Sequence, residues 1–303
     1  MEWQNTPESS NIEDRRGDMS ASMGGGGGGG GGGSFGTGGM GIGVIVVVLI
    51  ISYFTGINPA VLLQGAQVVT GNGHQQVAMA PQAQRSSPPE GDARTLSLIK
   101  HVLGETEAVW AEVLPAQKGV RYVPATLVLY SGATRSGCGG ARAAMGPFYC
   151  PVDKKVYLDM SFFDEMRSKY GGGGDFAYAY VISHEIGHHV QDLLGILDKA
   201  DEQKQNVSRT QANAISVRIE LMADCLAGVW AANANKKWKL IDQGDIQEAL
   251  ATAQAIGDDT LQKAARGYAV PDSFTHGSAA MRQKWLTTGL QSGQVDSCDT
   301  GVM

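Results

Sequence analysis

The chain has 303 residues, of which 43% are hydrophobic, so it can bury the core of one large domain or of two small ones. Its 24 basic and 30 acidic residues give a net charge of −6, without the basic excess that a nucleic-acid-binding protein needs. We therefore expect no nucleic-acid partner. The 42 glycines include an unbroken run at residues 24–33 that has no Gly-X-Y period, which excludes a collagen-like chain.

The first 91 residues divide by composition into three segments. Residues 1–39 are polar and glycine-rich, with little large apolar surface beyond Trp3, and this composition predicts a disordered leader. Residues 40–57 carry no charge and would extend about 27 Å as a helix, which predicts a single membrane-spanning anchor. A buried core helix or strand is the alternative. Residues 58–91 are rich in Gln, Ser and Pro and are predicted to form a flexible linker.

The remaining residues, 92–303, are predicted to form one folded domain. Asp92 can cap a packing helix that Pro115 ends. Runs of β-branched and aromatic residues predict a small sheet from strands at 126–130 and 149–158. Apolar residues then recur at helical spacing in five further stretches, and a sheet followed by helices predicts the α+β class. The five predicted helices cover residues 176–194, 208–234, 245–256, 258–267 and 278–290.

The first of these helices carries the sequence His184-Glu185-Ile186-Gly187-His188. Four residues advance a helix by about 400°, so both imidazoles lie on one face, about 6 Å apart along the axis. They can bind one Zn²⁺ from the same side. The Glu185 carboxylate can take a proton from a water at the metal without binding the metal itself. His189 points about 100° away, so packing or support of the site is the better interpretation for it.

A catalytic zinc site needs a third protein ligand and an open position. The extended metzincin pattern would require Gly at position 191 and His at position 194, but the chain has Gln191 and Leu194. Downstream, Glu220 and Asp224 lie four residues apart on a predicted helix among apolar neighbours. This spacing is typical of glutamate zincins, in which Glu220 would bind the metal and Asp224 would accept the N–H of a ligating histidine.

Several stretches together resemble the bacterial "putative neutral zinc metallopeptidase" family, and the similarity covers about residues 95–300. The resemblance implies a zincin-like α+β domain attached to a membrane, and it brings no known substrate. The stretches that carry it are Gly146-Pro147-Phe148-Tyr149-Cys150-Pro151, Val156-Tyr157-Leu158-Asp159, residues 184–191 and 220–230, and Phe274-Thr275-His276-Gly277.

A hydrolysing zincin also benefits from a donor that stabilises the oxyanion of the tetrahedral intermediate. His276, in a loop before the last predicted helix, is the candidate for this role, similar to the distal histidine of thermolysin-like enzymes. Tyr178 and Tyr157 are competitors. An exposed loop histidine without a catalytic role is the alternative interpretation of His276.

The four cysteines have no C-x-x-C spacing, which argues against a cysteine zinc site. Three pairings are possible, and we favour Cys138 with Cys150 and Cys225 with Cys298; four buried thiols are the alternative. Because disulfides require an oxidising compartment, they favour a body outside the cytoplasm. No Lys or Arg lies within fifteen residues of the apolar run, so charge does not give its orientation.

The sequence thus predicts a zinc metallopeptidase that hydrolyses a peptide or protein substrate. We expect a single-pass protein of the bacterial inner membrane, with the N-terminus in the cytoplasm and the catalytic domain in the periplasm or outside the cell. Two other functions remain open. One is a zinc-stabilised, membrane-tethered interaction module without catalysis, and the other is a metal-dependent amidase that acts on a non-peptide substrate.

Overall fold

The computed structural model describes residues 1–18, 90–170 and 173–302. The glycine run, the predicted span at 40–57 and most of the predicted linker lie outside these ranges. Among the described residues, no helix combines the length and apolar character needed to cross a membrane. Residues 1–18 and 98–302 belong to one compact unit, and residues 90–97 are assigned to a second.

The structure is α+β, as the sequence predicts. Its main sheet has four strands in the order β1-β2-β6-β5, in which β2 runs parallel to both neighbours and β5 runs antiparallel to β6. A separate hairpin pairs β3 with β4. The strands are β1 Ile12–Asp14, β2 Thr126–Tyr130, β3 Ala133–Ser136, β4 Gly139–Arg142, β5 Phe148–Cys150 and β6 Lys155–Asp159.

Eight α-helices are described, and the helices α3 and α5 carry the residues of the predicted metal site. The short helices α2 and α4 are not predicted from the sequence, although Phe163 and Met166 of α2 have helical spacing and are buried. The helices are α1 Glu90–Lys118, α2 Ser161–Tyr170, α3 Asp175–Leu193, α4 Ile196–Gln205, α5 Arg209–Trp238, α6 Gln243–Ala255, α7 Asp258–Arg266 and α8 Ala279–Ser292.

Several predicted boundaries differ from the structure: α1 begins at Glu90, before the predicted cap at Asp92, and α5 continues to Trp238. Pro115 does not end α1, which continues to Lys118 with the proline inside its last turn. The predicted strand at 149–158 is two strands joined by a turn, in which Lys154 adopts the left-handed conformation with φ of 56°. The hairpin lets β6 reach the centre of the sheet, where Val156 and Leu158 are buried.

The first 18 residues are not disordered, and the prediction of a disordered leader is wrong for them. Trp3 is 5% exposed, and Thr6 and Ser9 are also buried. Residues Ile12–Asp14 form β1, whose Ile12 pairs with Leu127 at the edge of β2. Contacts with the folded domain replace the apolar content that this segment lacks, so its composition alone gives no sign of order.

Close packing joins α5 to α8. A Cβ on Gly289 would lie 1.9 Å from the Cys225 carbonyl oxygen, and one on Gly228 would lie 2.3 Å from the Leu286 carbonyl oxygen. Only glycine therefore allows these two backbones to approach so closely. The four cysteines form the two predicted pairs, Cys138–Cys150 and Cys225–Cys298, and the second ties the end of the chain to α5.

Candidate metal centre

Helices α3 and α5 bring three predicted ligands together. The His184 and His188 rings lie 4.8 Å apart between centroids on one face of α3. On α5, Oε2 of Glu220 lies 3.1 Å from Nε2 of His184 and 3.5 Å from Nε2 of His188. One ligand atom from each residue falls within a group whose members are all within 4.8 Å of one another. Helical spacing alone produces the histidine pair, and the packing of α3 on α5 adds the carboxylate.

The separations between these atoms fit a zinc ion. Tetrahedral bonds of about 2.1 Å place neighbouring ligand atoms about 3.4 Å apart. The two distances from Glu220, 3.1 and 3.5 Å, lie close to that value. Two imidazole nitrogens and a carboxylate oxygen are also a donor set that catalytic zinc sites use, with a fourth position left for water. The residues present therefore fit the metal that the sequence implies.

Hydrogen bonds fix the orientation of both histidines. Nδ1 of His184 lies 2.8 Å from Oδ1 of Asp224, and Nδ1 of His188 lies 2.8 Å from Oε1 of Gln191. The Gln191 amide in turn donates to the Ile219 carbonyl oxygen at 2.7 Å, so its Oε1 faces the histidine. With the proton on Nδ1, each Nε2 presents a lone pair to the metal position.

Asp224 contacts Nδ1 of His184, as the sequence predicts, but its contacts with Arg282 and Tyr180 are not predicted. Arg282 of α8 donates to both Asp224 oxygens at 2.9 Å, and the Tyr180 hydroxyl donates to Oδ1 at 2.6 Å. Asp224 is fully buried and Arg282 is 4% exposed. A bidentate pair of this kind holds the carboxylate rigidly, so it can hold His184 in turn. The only sequence signal for Arg282 is its place on a helix whose other inward residues are apolar.

The charges around the histidines favour positive charge at the centre. Burial opposes protonation of His184, but the carboxylates of Asp224 and Glu220 outweigh it and raise the pKa of His184 to about 10. Burial likewise opposes ionisation of Asp224, yet Arg282 and His184 lower its pKa to about 2. The pKa of Glu220 also lies well below its usual range, because His188, His276 and His184 outweigh burial. A cation between these groups would be stabilised by the same carboxylates.

Glu185 lies on α3 between the two histidines and is buried. Its side chain is 8% exposed, and burial raises its pKa above the ordinary value, although the neighbouring histidine charges oppose the shift. The carboxylate also accepts a hydrogen bond from the backbone N–H of Tyr149 in β5. The three atoms that could bind a metal come from His184, His188 and Glu220, and the Glu185 carboxylate is not among them.

A family model and several relatives match this chain. The family model described as "Putative neutral zinc metallopeptidase" matches residues 1–301. The chain belongs to this family. A relative from Escherichia coli (strain K12), "Uncharacterized protein YpfJ", is 42% identical over 300 residues, which cover 99% of this chain and 98% of the relative. "Uncharacterized protein Rv2575" from Mycobacterium tuberculosis (strain ATCC 25618 / H37Rv) is 44% identical over 204 residues, or 64% of this chain and 66% of the relative. No solved structure gives a significant match.

In this member of the neutral zinc metallopeptidase family, His276 lies in a loop that packs on α5. The Asp258 carboxylate accepts backbone N–H bonds from Thr275 and His276 at 2.7 Å and from Gly277 at 3.1 Å, which fixes the loop. The His276 side chain is 24% exposed. Burial disfavours its charge, but Glu220 and Asp258 together raise its pKa. His276 thus interacts electrostatically with Glu220, one of the three residues of the metal-binding group.

The two tyrosines that compete with His276 use their hydroxyls elsewhere. Tyr178 donates to the Phe163 carbonyl oxygen at 3.4 Å, and Tyr157 donates to Asp153 at 2.6 Å. Both hydroxyls therefore have partners within the fold, and His276 stays the predicted candidate for the oxyanion role.

His189 lies away from the metal-binding group, as the 100° step predicts. Its Nε2 lies 2.6 Å from the Val123 carbonyl oxygen, and its Nδ1 lies 3.0 Å from the Tyr149 hydroxyl. The same hydroxyl donates to Asp192 at 2.7 Å. His189 thus connects α3 to β5 and to the segment before β2, and it supports the strand whose backbone contacts Glu185.

Proposed function

We propose that this chain is a zinc metallopeptidase that hydrolyses bonds in a peptide or protein substrate. One observation supports the proposal most directly. His184, His188 and Glu220 converge on one position, while the buried carboxylate of Glu185 lies beside them and is used by none of the three. A site that only stabilised the fold would need a fourth protein ligand and no spare carboxylate.

Zinc, when bound by His184, His188 and Glu220, would polarise the scissile carbonyl and lower the pKa of a nearby water. Glu185 then accepts a proton from the attacking water and later delivers it to the amine that leaves. Burial raises the pKa of Glu185, and this direction suits both steps, because a carboxylate that holds a proton more readily can accept it and later return it. The backbone N–H of Tyr149 keeps the carboxylate in one orientation during the exchange.

In this proposal His276 stabilises the negative oxygen of the tetrahedral intermediate. A protonated imidazole is a strong donor to an oxyanion, and Glu220 and Asp258 both favour its protonated form. Asp224 and Gln191 act through the histidines that they orient. Their part is to keep each Nε2 pointed at the metal.

Attachment to a membrane is part of the same proposal. The charge-free run at residues 40–57 has the length of an anchor, and it supports attachment by its composition alone. The two disulfides support a body in an oxidising compartment outside the cytoplasm. The substrate would then be a protein or peptide of that compartment.

The test compares Glu185→Gln with the wild type on an unfolded protein such as casein, with zinc content measured alongside. Gln keeps the shape of the side chain but cannot accept the proton, so hydrolysis should fall by about 10²-fold or more while zinc stays bound. Glu202→Gln, on the exposed face of α4, is the matched control and should change neither. In His188→Ala, both zinc and activity should be lost.

Other outcomes would contradict the proposal. If wild-type protein binds no zinc, the metal centre is refuted. If zinc binds but neither casein nor a peptide library is cleaved, the interaction module becomes the better hypothesis. If only a non-peptide amide is cleaved, and Glu185→Gln abolishes it, the chemistry holds and the substrate class is wrong.

A further inference from the structure

The first residues of the chain dock against the rest of the compact unit, residues 98–302, which we call the catalytic body. The Trp3 indole is buried and donates to Oδ2 of Asp175, the first residue of α3, at 2.7 Å. Farther along, the Thr6 hydroxyl donates to Oε1 of the buried Glu105 at 2.7 Å. The absent side chain of Gly104 makes room for the segment, since a Cβ there would lie 2.3 Å from the Pro7 carbonyl oxygen.

Beyond this contact, the backbone of residues 11–15 forms hydrogen bonds with β2 of the main sheet. The Leu127 N–H donates to the Asn11 carbonyl oxygen at 2.9 Å, and the Arg15 N–H donates to the Leu129 carbonyl oxygen at 2.7 Å. Between them β1 lies parallel to β2. Glu13 then accepts hydrogen bonds from Arg15 at 2.8 Å and from Lys155 of β6 at 2.7 Å. Residues 2–16 are thus held by the buried Trp3 indole, by close packing on Gly104, by strand pairing and by the ion pairs of Glu13.

This docking constrains how the chain can attach to a membrane. Residues 1–18 and 98–302 form one compact unit, so both ends of the intervening stretch start from the same body. A stretch whose two ends lie on the same side of a bilayer crosses it an even number of times or not at all. A single crossing at residues 40–57 would separate β1 from β2 by the full thickness of the membrane, about 30 Å of hydrocarbon.

We infer that residues 1–18 and the catalytic body share one side of the membrane, so that the apolar run attaches the chain without carrying its first residues across. This inference replaces the expectation of a cytoplasmic N-terminus with an external body. It does not depend on the proposed hydrolysis. Because the two disulfides favour an oxidising compartment, the shared side is the external one.

The test places a thiol on each part of the full-length protein. Within the described residues all four cysteines are paired, so an introduced thiol is the one that reacts. Ser10→Cys exposes a thiol on the docked segment, and Tyr268→Cys exposes one on the body, where Tyr268 is 60% exposed. Intact spheroplasts are treated with a membrane-impermeant maleimide, and a second sample is treated after lysis.

Both thiols should label to the same extent before lysis. If Ser10→Cys labels only after lysis while Tyr268→Cys labels before it, the inference is overturned. The reverse result would overturn it equally. If both label only after lysis, the two parts still share a side, and the argument from the disulfides to an external compartment is wrong.

A second experiment tests the docking itself on the purified full chain. Gly104→Ala should expel the segment, so trypsin should release the peptide that ends at Arg15 or Arg16 at least 10-fold faster than from the wild type. Gly140→Ala is the matched control, because a Cβ there meets nothing within 4 Å. Equal release from the two variants would contradict the docking. If Gly104→Ala does not fold, Trp3→Ala replaces it in the same assay.

Discussion

The buried pair of Asp224 and Arg282 offers the sharpest test of how the metal centre is held. Asp224→Asn keeps the shape of the side chain but removes its charge at a point where Arg282, Tyr180 and His184 all converge. The Arg282 guanidinium is then left buried without a counter-charge. Breaking one side of such a pair costs about 3–5 kcal/mol in the free energy of unfolding. Tyr180→Phe removes a neutral hydroxyl that donates to Asp224 and accepts from Arg282 at 3.2 Å, and it should cost about 1–3 kcal/mol.

A double-mutant cycle separates stability from metal binding. In the variant that combines Asp224→Asn with Arg282→Met, no charge is buried alone, so much of the lost stability should return. Zinc affinity should not return, because Nδ1 of His184 still lacks its carboxylate. Removal of such a partner lowers metal affinity by roughly 10–100-fold. The same loss should appear in Asp224→Asn alone.

Urea unfolding of the metal-free proteins gives the stabilities, and titration of zinc against a competing chelator gives the affinities. The comparison is valid if the dependence of the unfolding free energy on urea is the same in all variants. If Asp224→Asn lowered the free energy of unfolding by less than about 1 kcal/mol, the Arg282 charge would not be buried and dependent on Asp224 as we describe. Recovery of zinc affinity in the double variant would show that Asp224 does not orient His184.

Three further predictions concern the rest of the fold. Burial raises the pKa of Glu105 to about 7, against the opposing hydrogen bond from Thr6, so stability should fall as pH rises from about 4.5 to 7. In Glu105→Gln, the free energy of unfolding should vary with pH by up to about 3 kcal/mol less over this range, as measured by urea unfolding at several pH values. An unchanged pH profile would show that Glu105 does not have the raised pKa. Gly289→Ala should force α8 away from the Cys225 carbonyl oxygen and lower the melting temperature by several degrees, whereas a normal melting temperature would show that the helices can separate. Replacing Cys225 and Cys298 together by Ala opens a link across a sequence separation of 73 and should cost about 4 kcal/mol; a cost near zero in denaturant unfolding would contradict it.

The metal ligands could be predicted because helix geometry is local. The spacing of His184 and His188 determines their common face wherever the helix lies, and the spacing of Glu220 and Asp224 does the same on α5. Arg282 is different. Its pairing with Asp224 depends on how α8 crosses α5, and its position among the apolar inward residues of α8 does not identify the partner. Gln191 stands at helical spacing from His188, and that spacing is the signal that could have identified it as a partner.

The docked segment could not be predicted for a related reason. Ile12, Glu13 and Asp14 have no strand pattern of their own, and the open edge of β2 makes them a strand. Trp3 is the one aromatic residue in a mostly polar stretch. A tryptophan needs a place to be buried, and in this chain that place is supplied by residues more than 90 positions away.

The pairing of β1 with β2 also affects when the protein can finish folding. The first strand emerges from the ribosome more than 100 residues before the strand that it joins, and the sheet cannot be completed until β6 has followed. Arg282 and Cys298 come later still, so the buried charge of Asp224 and the last disulfide wait for the end of synthesis. Contacts so distant in sequence slow folding. During that interval the edge of β2 is open, and a chaperone or a second nascent chain can compete for it with the protein's own first strand.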